Sequence, residues 1–252
     1  MSNECELDKY LNYSSKLSSN YADWEAFEKS STDEGWITYE LTLTPNDFFS
    51  FGAGFGDKVV DDIQVREECI EWNDKNEGTF KEKYLIPATS LKGAIAHRVA
   101  FYSNLKEGKY AMQIPAEEFD NYSGGMNKAV GLLFGYQKDK EDLRRGICIF
   151  NDLFVEKNEK KEKVFNHVSI DRFTGGAIDG ALFSEKVIDG RDLKFKTTIM
   201  VKDTGEEGLT AALECLERAL KDIDLGTLTF GGGSGRGHGT FKCSIIKNGQ
   251  KL

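Results

Sequence analysis

Apolar residues recur at Leu209, Leu213, Leu216, Leu220 and Ile223, one stripe at helical spacing across Glu206–Ile223. A helix with a single apolar stripe must lay it on another element, and its neighbours along the chain read as strands. Leu193–Lys202 alternates upstream, and Thr227–Phe230 and Thr240–Ile246 bracket a glycine-rich loop downstream. Near the other end Trp36–Thr44 alternates, with Ile37, Tyr39, Leu41 and Leu43 on one face, until Pro45 and Asn46 stop it. A second helix is predicted from a Thr89 or Ser90 cap to about Asn104, with Leu91, Ile95, Val99 and Tyr102 in line. Gly146–Val155 reads as a strand and Val164–Ile170 as a shorter one.

The order strand, helix, strand, strand, helix, strand predicts an α+β class with a ferredoxin-like, split βαβ core. Long insertions fall at about 45–88, 105–145 and 156–192, lengths that usually mark functional segments. Residues 1–35 read as a polar, acidic arm with a hint of helix at Leu7, Tyr10, Leu11 and Ser14, and residues 36–252 as the main domain.

The formal net charge is −9, which argues against a free-standing nucleic-acid coat but leaves room for a local basic face. Five scattered cysteines without a CxxC fit reduced thiols in a cytoplasm. No stretch is long and apolar enough for a membrane span, and the N-terminus predicts no signal peptide. With His97, His167 and His238 as the only histidines and no HExxH or hydrolase order of Ser, His and Asp, zinc-protease and triad chemistry have no support.

Four segments carry residues suited to chemistry. Gly231–Gly239 interleaves Arg236 and His238 with glycines that include Gly233 and Gly235. Its spacing fits neither GxGxxG nor GxxxxGK, and it suits a polyanion backbone better than a mononucleotide. Ile86–Arg98 runs from a turn into the predicted helix and offers Ser90, Lys92, His97 and Arg98. Lys92 sits in the first turn, where the helix dipole prefers an acid, and that conflict points to a bound phosphate; an ordinary capped helix is the alternative. Asp57, Asp61 and Asp62 follow Gly52–Gly56 and read as a divalent-cation or hydroxyl-activating cluster, or as a solvated acidic loop. Ser169–Ala177 joins Arg172, Phe173, Thr174 and glycine, a mixture suited to single-stranded nucleic acid. Arg144 and Arg145 add a basic spot.

Taken in order, these segments resemble the RAMP (repeat-associated mysterious protein) superfamily, most of all the backbone subunits of type III CRISPR effector complexes. The family's IPGSSLKG-type helix start stands here as IPATSLKG, residues 86–93. Its Ile-Asp-Arg-x-Thr-Gly-x-Ala element is Ile170–Ala177 with one extra glycine. A Leu-Phe-Gly lies at Leu133–Gly135, before a strand that holds Asp152, and the glycine-rich loop precedes the last strand. The resemblance implies an RRM-like core, stacking of copies along a CRISPR RNA, and a β-hairpin thumb from about residues 173–190.

It also implies target-RNA cleavage supported by an Asp and by Mg²⁺ or Mn²⁺. The family pattern Asp-x-Pro-hydrophobic-hydrophobic-basic is met at Asp61 and Arg66 without the proline, so Asp61 is the implied catalytic residue and metal ligand, with Asp62 as its shifted alternative. Ser90, Lys92, His97, Arg98, Arg172, Thr174, Gly233, Gly235, Arg236 and His238 are the implied RNA-binding set. Implied partners are CRISPR RNA, target RNA, other effector subunits and further copies of the chain, with no membrane. A scaffold that binds without cutting is the alternative. So is a metal-independent guide-processing endonuclease with His97 or His238 as base. Binding RNA with this net charge requires the cations to gather on one face.

Overall fold

The computed structural model describes residues 35–73 and 77–252. The predicted arm, with its helical spacing, lies outside them except for Gly35. The chain first forms β1 (Trp36–Pro45), β2 (Phe48–Phe49), β3 (Arg66–Trp72), β4 (Gly78–Ile86) and α1 (Ala88–Lys106). Next come α2 (Phe119–Ser123), α3 (Lys128–Phe134), β5 (Gly135–Gln137), β6 (Leu143–Arg145), β7 (Cys148–Phe150) and β8 (Leu153–Glu156). The last elements are β9 (Glu162–Ile170), β10 (Ala177–Asp189), β11 (Phe195–Lys202), α4 (Leu209–Asp224), β12 (Phe241–Lys247) and β13 (Gln250–Lys251). The class is mixed α and β with antiparallel sheets.

The main sheet runs β13-β12-β1-β11-β7. In β1, Tyr39 pairs with Ile199, and Leu41 lies between Thr197 and Ile245. Tyr39, Leu41 and Leu43 alternate inward and are buried. The α4 stripe lands in the same core, with Leu209, Leu213, Leu216, Leu220 and Ile223 all buried. Each such side chain contributes about 1.5–3 kcal/mol through loss of water contact. The Tyr39 hydroxyl reaches Glu217 of α4 at 3.0 Å, and Tyr102 of α1 reaches Asp222 at 2.8 Å.

The predicted strand over Gly146–Val155 divides at Asn151–Asp152: β7 edges the main sheet and β8 pairs with β4 in a separate sheet, β3-β4-β8. Asp152 turns there and its Oδ1 accepts the Ala88 N–H at 2.7 Å, at the start of α1. That corrects the predicted cap. Pro87 holds the N-cap position, no Ser or Thr side chain caps the helix, and Thr89 and Ser90 lie inside it. The acid that the dipole prefers beside Lys92 thus comes from another segment. Thr227–Phe230 forms no strand, because the N–H groups of Thr227 and Leu228 both fold back onto the Asp222 carbonyl at 3.0 Å. α4 begins at Leu209, after left-handed Gly208, so Glu206 and Glu207 precede it.

The insertions carry structure of their own. The second contains α2, α3 and the β5–β6 pair. A third sheet, β2-β10-β9, is dominated by the long β9–β10 hairpin. Residues 173–190, expected to form a hairpin by themselves, supply one strand of this pair; the other precedes Asp171, and the Asp-Arg-Phe-Thr-Gly motif is the turn between them. Asp171 Oδ1 accepts the N–H groups of Phe173 and Thr174 at 2.7 and 2.8 Å, and these bonds hold its carboxyl below the ordinary range. No helix among the described residues is long and apolar enough to cross a membrane.

Candidate nucleic-acid interface

Two motifs that lie far apart in the chain, the acidic loop and the glycine-rich loop, meet on consecutive residues of β10. The Ser184 N–H and hydroxyl both donate to Asp61 Oδ2, at 2.7 and 2.9 Å, and its carbonyl accepts the N–H groups of Asp61 and Asp62. Glu185 Oε1 accepts Arg236 Nη2 at 2.7 Å and lies 2.8 Å from His167 Nε2. A carboxylate only accepts, so the proton of that second bond sits on Nε2. Lys186 Nζ donates to Asp57 Oδ2 at 2.8 Å and stands 3.7 Å from Glu162 Oε2. Strand alternation explains the division: Ser184 and Lys186 face the acidic loop, while Glu185 and Phe183 face the glycine-rich loop.

Aromatic rings line the glycine-loop side. His167 stacks on Phe183 with centroids 4.7 Å apart, and the Arg236 guanidinium lies 5.8 Å from the same ring. His238 is buried against Phe48 and Phe165, at 5.9 and 5.6 Å, and its Nδ1 has no hydrogen-bond partner. That burial removes His238 from the surface, where a general base would meet RNA. Gly233 makes the fit: a Cβ there would stand 2.7 Å from Nδ1. At Gly231 a Cβ would meet the Ser50 carbonyl oxygen at 2.1 Å, so this half of the loop serves close packing. Gly235 borders open space.

In the acidic loop, Asp57 is occupied. Lys186 and the N–H groups of Val59 and Val60 hold its carboxyl at about 2. Asp61 is exposed and stays ionised, since the Ser184 N–H and then its hydroxyl favour the charged form. Asp62 is half-buried, with Oδ1 unpartnered and Oδ2 lying 2.4 Å from where a Cβ at Gly52 would be. Among the described residues no three His, Cys, Asp or Glu stand together as a metal-holding group. The carboxylates the chain itself offers beside Ser184 are those of Asp61, exposed, and Asp62, half-buried.

The structure thus gathers Asp61, Asp62, Gly233, Arg236 and His238 around one hairpin root. The other predicted residues sit elsewhere. Ser90, Lys92 and His97 lie on α1, with Ser90 and His97 exposed and Lys92 half-buried. Arg98 turns inward, paired to Asp222 at 2.5 Å and donating to the Thr227 carbonyl at 2.8 Å. Arg172 and Thr174 are exposed in the hairpin turn. Arg144 pairs with Glu206. Of the expected cations only Arg236 and the buried His238 stand at the root, so the predicted gathering is not found there, and Arg98 and Arg144 are paired with Asp222 and Glu206. Sequence reasoning missed Ser184, Glu185 and Lys186. Their partners lie 123, 51 and 129 residues away, beyond any local pattern.

None of the curated proteins compared with the chain matches it. A family model described as the RAMP superfamily matches residues 69–242. The matched span takes in α1, the long hairpin and the glycine-rich loop, and by that match over more than half its length the chain belongs to the RAMP superfamily.

Proposed function

From its RAMP membership we infer that the chain is a CRISPR-associated, RNA-binding protein of a kind that works in multi-subunit complexes. We propose that it is a CRISPR RNA-binding backbone subunit of a type III interference complex, acting in the cytoplasm with other subunits, further copies of itself and target RNA. The observation that carries this reading is the convergence at the hairpin root of a glycine-rich loop bearing Arg236, an ionised exposed aspartate, and aromatic rings. The succession β1, α1, β7, β11, α4, β12, with spatial order β12-β1-β11-β7, supports a ferredoxin-like core. The β9–β10 hairpin, its fully exposed Phe173 at the turn, is read as the thumb.

Backbone N–H groups of the open part of the glycine loop, Arg236 and the exposed Arg172 would hold phosphates, and the hairpin aromatics would stack on bases. Asp61 would also serve target cleavage. Ser184 fixes its carboxylate, so its charge stands at one place beside the bound strand. Asp61 would hold an Mg²⁺ or Mn²⁺ ion, which would supply charge neutralisation at the phosphate; the RNA's own 2′-hydroxyl would form the new P–O bond as the P–O5′ bond breaks, leaving a 2′,3′-cyclic phosphate and a 5′-hydroxyl. A second reading, a scaffold that does not cut, is favoured by the two bonds with which Ser184 engages Asp61, since these also suit a structural anchor.

The test mixes the protein and a CRISPR RNA with labelled complementary RNA and Mg²⁺ or Mn²⁺. Cutting at regular intervals, abolished in Asp61→Ala with guide binding retained, is the expected result. Cutting by Asp61→Ala at the wild-type rate excludes the aspartate role, and loss confined to Asp62→Ala moves that role one residue. Binding without cutting selects the scaffold, and absence of guide binding at low salt rejects the whole reading.

A further inference from the structure

We infer that Glu185 is the positioning residue of this interface: it holds the Arg236 guanidinium where it meets an RNA phosphate. The inference rests on the RNA-binding reading above and deepens it.

Arg236 lies in a short turn between two left-handed glycines, Gly233 and Gly237. Backbone so permissive does not by itself aim a long side chain. What aims it is Glu185, through the bond to Nη2, with the Phe183 ring beside the guanidinium. Glu185 is itself fixed. It is 5% exposed, it sits within a paired strand, and His167 engages the same oxygen. The arginine side chain stays 41% exposed. A guanidinium carries five N–H donors in a planar fork, so one bond to Glu185 leaves donors for a phosphate. Because Ser184 and Lys186 hold the acidic loop from the other face of the strand, Glu185 also fixes Arg236 relative to Asp61.

The consequence runs against simple electrostatics. Deleting a carboxylate beside a polyanion site should strengthen RNA binding if charge alone matters. Positioning predicts the opposite. In fluorescence anisotropy with a labelled single-stranded CRISPR RNA, Glu185→Ala should bind about tenfold more weakly, the scale of one lost arginine contact. Its salt dependence should fall by about one phosphate contact. Glu185→Gln keeps an acceptor for Arg236 and should bind at least as tightly as wild type. In an Arg236→Ala background, Glu185→Ala should change affinity no further.

Equal or tighter binding by Glu185→Ala, with an unchanged melting temperature, overturns the inference, and so do additive losses in the double variant. Should Glu185→Ala fail to fold, Glu185→Asp decides: it keeps the charge and withdraws it by one methylene, so weaker binding supports positioning and wild-type affinity refutes it. Wild-type protein that binds no RNA rejects the functional reading, and this inference with it. Wild-type binding that Glu185 substitutions leave untouched rejects the inference alone.

Discussion

The main sheet with α1 and α4, and the root of the β9–β10 hairpin, are held together by different physics. In the first, Leu216, Leu220 and Ile223 are wholly buried and meet Tyr39, Ile199 and Val201 in one apolar core. Such burial is non-directional and scales with area. At the root the contacts are bonds with defined donors and acceptors: Ser184 to Asp61, Arg236 to Glu185, Lys186 to Asp57. Along the hairpin itself, apolar side chains such as Leu182, Ile170 and Val168 lie in the open. The core therefore carries stability, and the root carries the relative placement of loops that burial alone would leave free.

The sharpest way to break this division is a core truncation. Leu216→Ala should lower unfolding free energy by about 2–5 kcal/mol in urea titration, with loss of a buried side chain and a cavity left behind. A loss under about 1 kcal/mol would mean that the core is not the seat of stability. A smaller effect is expected where a directional bond touches the core. Asp152→Ala removes the acceptor for the Ala88 N–H and should cost about 1 kcal/mol, as for lost helix caps, while Asp152→Asn keeps an acceptor and most of the stability.

The smallest effect is local. Asp57 has its carboxyl lowered from 3.8 to about 2, chiefly by Lys186 and then by the Val59 and Val60 N–H groups. A depressed folded-state value means that its contribution is present above 3.8 and is lost as pH falls through about 2. The amide resonances of Val59 and Val60 should therefore titrate near 2, and Lys186→Ala should move that midpoint up toward 3.8. A wild-type midpoint already at 3.8 would show that the lysine does not hold the loop.

The core was legible because its signals are periodic. Alternation placed β1, and the leucine stripe placed α4, within a few residues of their observed bounds. Legibility failed where a backbone or side-chain bond overrides local propensity. Asp152 breaks a strand-like run in order to reach α1, and the Asp222 carbonyl gathers two N–H groups that would otherwise have suited a strand. In the candidate site, the glycine loop and the aspartates stood out by composition. Glu185 did not, because nothing around it in sequence announces Arg236 or His167. For the same reason Arg98 and Arg236 read as free cations, although each is met by a carboxylate.

The alternation Ser184, Glu185, Lys186 also makes the root self-correcting. A one-residue slip in strand pairing exchanges the two faces. Here a slip would seat Glu185 where Lys186 belongs, against Asp57 and Glu162, and would turn a lysine or serine toward Arg236. Like charges would meet on at least one face whichever way the strand moved. Toward the turn, pairing shifts between Ala177 and Leu182, away from these charged contacts. The hairpin is thus keyed at its base, and its irregular pairing is confined to the far end, away from the residues that seat it on the domain.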